Sequence, residues 1–335
     1  MIQTVLGPIA AASMGPTSLH EHVLADASAL QRPGIENAPA ESIVQPSLLG
    51  YLRWNQLGMA DNLRLDDPSV AAEELARAGQ RGQRTVVDAT SLGLGPDHAA
   101  LPMVSRDSGV TIVASYGSYL DRGLPRWFAE LDEGGREDLF FAALTDHIPG
   151  VDYRAGMLGI MGTSAELTTS ERSSLLAAAR AAVASGASVS IRLDPEATRG
   201  LEIIALCVSA GLDPSRIVLT NTDEYLDVVY LRDLSQVGAV LEMCFGNEDF
   251  HYGRVRNPSD LQRLDFFIDF LDGHPDSRWV LGASVWTKAQ LSRFGGPGYE
   301  HLQARVVPAL RAAGVPDERL DDMLVTTPAV LLDRP

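Results

Sequence analysis

Eight short β-rich runs alternate with Ala/Leu-rich amphipathic segments, and this alternation restricts the possible folds more than any other feature of the chain. The runs are "PTSLHEH" (16–22), "RTVVDAT" (84–90), "VTIVASY" (110–116), "AGMLGIM" (155–161), "ASVSIRL" (187–193), "RIVLTN" (216–221), "GAVLEMC" (238–244) and "WVLGAS" (279–284). Between them lie segments such as "SERSSLLAAARAAVASG" (170–186), with a serine-rich start, a helix-forming body and a closing glycine. Repeated βα units predict a parallel sheet. Several runs are apolar on both faces, which suits a closed (β/α)8 TIM barrel better than an open sheet. No G-x-G-x-x-G or G-x-x-x-x-G-K-[ST] motif supports a nucleotide-binding alternative. The whole chain, 1–335, reads as one barrel domain, a length that α/β barrels reach with a single core.

A barrel of this kind places its chemistry at the C-terminal ends of its strands. Those ends read His20/His22, Asp88/Thr90, Tyr116, Ile160, Arg192, Asn221, Glu242 and Ser284. In "LHEHVL", strand alternation puts His20 and His22 on one face and turns Glu21 toward the outer helix layer. The two histidines suit an acid/base pair, the remnant of a metal site, or hydrogen-bonded residues inside the barrel. Arg192 needs a carboxylate or an anionic ligand, because an unpaired buried guanidinium is costly. It reads either as an anion clamp or as the partner of Glu242 or Asp194. Glu242 is an acid/base or salt-bridged carboxylate, and Asp88 a structural acceptor.

Asn221 and Ser284, polar groups at strand ends, are expected to bind substrate. Two long mouth loops, "FGNEDFHYGRVRNPSD" and "VWTKAQLSRFGGPG", add His251, Tyr252, Arg254, Trp286 and Lys288. His98, His147, His274 and His301 read as loop or helix surface. Residues 25–70 form an insertion after the first strand. Its helical stretch "SLLGYLRWNQLGM" suits either covering the mouth or pairing with a second subunit.

A net charge of −17 disfavours nucleic acid and anionic membrane as partners, leaving a small-molecule substrate. No segment reaches the roughly 20 apolar residues of a membrane helix, and the N-terminal run is broken by Gly7 and Pro8, unlike a signal peptide. Cys207 and Cys244 lie in apolar runs and read as buried free thiols, consistent with the cytoplasm.

The blocks "TVLGPI", "LHEHVL", "TVVDATSLGLGPD", "GVTIVASYGSYL", "RAGMLGIMGTS", "GLDPSRIVL" and "GGPGYEHLQARVVPALRAAGV" resemble the phosphotriesterase-like branch of the amidohydrolase superfamily over nearly the whole chain. That resemblance implies the same (β/α)8 fold, a homodimer, two divalent metals, and pocket residues near the turn after the third strand, where Tyr116 and Tyr119 are expected to bind substrate. The metals would be held by an H-x-H, a bridging carboxylate, two histidines and an aspartate. The H-x-H falls on His20 and His22. The other four positions fall on Ile160, Arg192, Asn221 and Ser284, which replace most of the ligand set. The expectation is therefore no metal cofactor or, failing that, a single divalent ion such as zinc on His20 and His22. Three functions remain open: metal-independent acid/base chemistry on a small polar or anionic substrate, a one-metal ester, lactone or amide hydrolase, and a non-catalytic binding protein.

Overall fold

A computed structural model describes residues 1–334 apart from Ser42. Eight strands run in one sheet in sequence order: β1 Thr17–Glu21, β2 Thr85–Asp88, β3 Thr111–Tyr116, β4 Met157–Gly162, β5 Val189–Arg192, β6 Ile217–Thr220, β7 Val240–Cys244 and β8 Trp279–Gly282. All neighbouring pairs are parallel. The ring closes just past β8, where Ser284 N donates to His20 O (2.8 Å) and His22 N donates to Val285 O (3.0 Å).

Both faces of each strand are buried, which explains the near-continuous apolar runs. Val87, Val113, Met157, Val218, Val240 and Val280 fill the barrel interior, and Ile2, Met14, Leu331 and Leu332 from the chain ends plug its base. Ile112, Leu158, Ile191, Leu219, Leu241 and Leu281 face the helix layer. Helices connect the strands, among them α1 Pro68–Gln80, α2 Leu101–Ser108, α3 Glu133–Thr145 and α4 Thr169–Ser185. The cap of α4 is Thr168, in a reciprocal capping box with Glu171, and Gly186 ends it at φ 69°.

β1 departs from simple alternation. Its register slips by one residue between Ser18 and Glu21 opposite Val86–Asp88, so Leu19 and His20 both turn inward. Glu21, expected to face the helices, instead lies along the closing seam. Its fully buried carboxylate accepts from Ala283 N (3.1 Å), Val285 N (3.0 Å) and Ser18 Oγ (2.6 Å). Burial pushes Glu21 up to about 7 against these bonds.

In the insertion, Ala25–Asp26 pairs antiparallel with Arg64–Leu65, while Leu30, Leu57 and Leu63 pack against Ala89, Leu94 and Ile160. The expected long helix is α-helical only over Leu49–Trp54. Asn55 then leaves helical geometry, and its side chain bonds Tyr51 O and Ile35 N instead. Two histidines expected on the surface are buried. His301 bonds Asp260 Oδ2 at 2.6 Å, and His98 sits beside Tyr116 with its Nε2 unpartnered.

Burial lowers His98 to about 4. Between pH 6.5 and about 4 the unfolded chain therefore binds a proton that the folded ring refuses, and stability falls as pH drops through that window. In urea unfolding from pH 8 to 4, His98→Gln should lose less stability than wild type below pH 6.5. Parallel profiles would contradict this assignment.

Candidate functional site

The strand ends open into a cavity of about 1110 Å³, with His20, His22, Ile160, Arg192, Asn221 and Ser284 among its lining. At its floor the side chains form one hydrogen-bonded line. Glu242 Oε2 meets His20 Nδ1 at 2.8 Å, His20 Nε2 meets His22 Nε2 at 3.2 Å, and His22 Nδ1 meets Thr90 Oγ1 at 3.1 Å. Thr90 in turn donates to Asp88 Oδ1 (2.7 Å), which also accepts from Val23 N (3.0 Å).

The order of donors fixes the tautomers. Because Thr90 gives its only proton to Asp88, it must accept from His22 Nδ1–H. The His22 Nε2 is then a lone pair, and because the Nδ1–H of His20 goes to the Glu242 carboxylate, it receives an Nε2–H from His20 when that ring is the imidazolium. Burial opposes charge on His20, but the Glu242 carboxylate and its hydrogen bond outweigh that and raise its pKa. Burial, then the charge of His20, holds His22 well below the ordinary value. The floor thus presents one imidazole that readily carries a proton beside one that is neutral at rest.

Behind this line lie Asp223 and Cys244, both buried. Burial pushes Asp223 up to about 7 although Arg263 Nη2 stands 2.9 Å away. Burial, then the nearby Glu242, pushes the Cys244 thiol well up. The donor atoms of His20, Glu242 and Cys244 lie within 4.8 Å of one another, and Glu242 Oε1 has no hydrogen-bond partner. These are the groups able to hold one small ion beneath the floor.

Arg192 ends β5 with its side chain 16% exposed at the cavity wall. It donates to Thr163 O (3.3 Å), and its guanidinium lies 3.6 Å from Asp194 and 3.8 Å from Glu224. Of the two partners expected, Asp194 is present and Glu242 is not, because Glu242 belongs to His20. Asn221 (φ 61°) binds Glu224 through Nδ2 at 2.9 Å. Ser284 (φ 46°) carries its positive φ at the closing seam. Both hold a backbone conformation uncommon outside glycine, as residues at functional sites often do.

Tyr119, Trp286, Arg254 and Tyr252 line the cavity as well. Three other candidates lie elsewhere. Tyr116 shares the outward face of β3 with Ile112 and Ala114 and packs against Phe140. His251 is a structural pin, accepting from Leu57 N at Nδ1 (3.2 Å) and reaching Pro33 O from Nε2 (3.2 Å). Lys288 is paired with Asp61 (2.7 Å) and Asp66 (3.0 Å). The sequence reading missed Thr90 as a ring anchor; its signal was its place two residues after Asp88 at a strand end.

Fold and cavity together define a (β/α)8 barrel with a small-molecule pocket at its C-terminal mouth. Residues 1–332 match the phosphotriesterase family, and the chain belongs to it. It is 28% identical to N-acetyltaurine hydrolase of Dictyostelium discoideum, covering 99% of this chain and 97% of that protein. The N-acetyltaurine hydrolase of Bos taurus is 30% identical, covering 98% and 96%. Among solved structures, a resiniferatoxin-binding protein from Rhodobacter sphaeroides superposes with a TM-score of 0.94 at 31% identity, covering 99% of this chain and 94% of that one.

Nuclear magnetic resonance of the ring nitrogens should find His22 as the Nδ1–H tautomer. In Thr90→Val that preference should weaken, because the one acceptor for Nδ1–H among the described residues is gone. An Nε2–H tautomer of His22 in the wild-type protein would contradict the assigned line.

Proposed function

We propose that the chain is an enzyme of small anionic esters or amides that works by proton transfer at its paired histidines. The observation that carries this reading is the line Glu242–His20–His22–Thr90, which leaves one Nε2–H and one Nε2 lone pair side by side on the cavity floor. A reacting group docked over the pair from the cavity side would meet an acid and a base at once. In acyl cleavage, water bonds to the carbonyl carbon and gives its proton to His22 Nε2. The bond to the leaving group breaks, and the leaving atom takes the proton of His20 Nε2. The proton on His22 then passes back to His20. Glu242 orients His20 and stabilises its charge, and Arg192 supplies fixed positive charge for an anionic group or developing oxyanion.

The donor set does not fit the two-ion centre that the family resemblance implies. Ile160 offers no ligand atom and packs with Leu57, Ala89 and Leu94, while Arg192 brings a permanent cation to the cavity lining. Relatives named as N-acetyltaurine hydrolases support a hydrolytic reaction and an anionic amide as substrate. A neighbour named for binding resiniferatoxin supports a pocket that takes a small-molecule ligand. Two unpaired buried cysteines fit a reducing cytoplasm, and no helix among the described residues is long and apolar enough to cross a membrane.

A one-ion hydrolase is the second reading, and one observation favours it. Two imidazole nitrogens, each about 2.0–2.1 Å from a tetrahedral zinc ion, lie about 3.3 Å apart, close to the 3.2 Å between the two Nε2 atoms. A carboxylate on His20 Nδ1 also suits a ligand histidine. In that case His20 and His22 would hold the ion, which would supply an acidified water.

The test is turnover of N-acetyltaurine and of an activated aryl ester of succinate. Glu242→Gln should lower kcat by roughly 10²- to 10⁴-fold, and Arg192→Gln should weaken use of the anionic substrates. An unchanged kcat in Glu242→Gln, or no turnover of either compound by the wild-type protein, contradicts the proposal.

A further inference from the structure

The rim of the cavity carries a charge pattern that the floor chemistry does not use. A β-hairpin, Phe250–His251 paired with Val255–Arg256, lies over the mouth. It is pinned to the insertion by Gln56 N to Phe250 O (3.2 Å), by the two His251 ring contacts, and by Trp54 packed edge-on against Phe250 at 5.1 Å. Its Arg254 and Arg256 both line the cavity. Among the described residues neither has a carboxylate within 4.0 Å, and the same holds for Arg32 and Arg122, although the chain bears 44 acidic side chains against 27 basic ones.

Arg32, Arg192 and Arg254 are each close enough to Arg122 to repel it. Partial burial, then the charges of Arg32, Arg254 and Arg192, lowers the pKa of Arg122. Three carboxylates stand nearby. Asp194 and Glu224 face Arg192 at 3.6 and 3.8 Å, and Glu196 lines the cavity without an ion pair among the described residues. The unpaired guanidiniums of this rim keep their donors free for a bound anion. Below the rim the wall is apolar, formed by Leu30, Leu57, Leu94, Ile160 and Trp286.

We infer that this pocket takes an amphiphilic acyl compound whose oxyanion head group, a sulfonate or phosphate, sits between Arg254, Arg256 and Arg192. Its apolar chain lies along the Leu57–Ile160 wall, with the reacting carbonyl toward His20 and His22. The inference rests on the reading of this cavity as the ligand site, but binding alone tests it. Absence of turnover would sink the reaction proposed above and leave this inference standing.

The experiment is calorimetric titration of the full chain with N-octanoyltaurine and with its neutral counterpart N-octanoylethanolamine, at 50 and 500 mM salt. The sulfonate should bind more tightly than the neutral compound and weaken with salt. Arg254→Gln/Arg256→Gln should lower its affinity by roughly 5- to 50-fold and leave the neutral compound unchanged, which also shows that the variant is folded. Glu196→Gln should tighten the sulfonate. Equal affinity for the two compounds, an equal loss of both in the double variant, or no binding of either overturns the inference.

Discussion

The site depends on the carboxylate of Glu21 at the seam where the barrel closes. β1 and β8 meet through few ladder bonds, and Glu21 completes the join by accepting two backbone N–H groups beyond β8. A buried carboxylate is costly, and three donors offset much of that cost. Removing it would leave two buried N–H groups unpaired, at about 1–3 kcal/mol each. The residues on either side of it are the catalytic candidates, so the seam that closes the barrel also aims His20 and His22.

From that seam the floor is built by exhausting hydrogen-bond capacity. Each ring is tethered at Nδ1, to Glu242 or to Thr90, and each presents Nε2 to the same point. Neither ring is free to turn, which is the preorganisation that acid/base catalysis needs. Arg192 contributes differently. Its carboxylate contacts are 3.6 and 3.8 Å, longer than a close ion pair, and a tighter ligand anion could compete for its donors.

Much of the fold was legible because parallel strands buried on both faces cannot hide: Val, Ile and Leu must recur without polar interruption. His20, His22, Arg192 and Glu242 were legible for the complementary reason, being polar groups at the ends of such runs. What escaped depends on register or on distant partners. The bulge in β1 broke the alternation that would have sent Glu21 to the helices. For Tyr116 the signal was present and overlooked, since it shares a period of two with Ile112 and Ala114, which face outward. Thr90 and the rim arginines acquire their partners only when segments remote in sequence converge on one mouth, and local pattern marks them no further than as a strand-end hydroxyl and loop cations.

The central claim is that the chemistry rests on protonated and neutral imidazoles rather than on bound metal. Elemental analysis of the purified protein, before and after incubation with excess zinc or manganese and alongside His20→Ala/His22→Ala, tests it most directly. The account predicts no metal above background in either protein. Near-stoichiometric metal in the wild type, lost in the double variant, would contradict it and assign the paired Nε2 atoms to an ion.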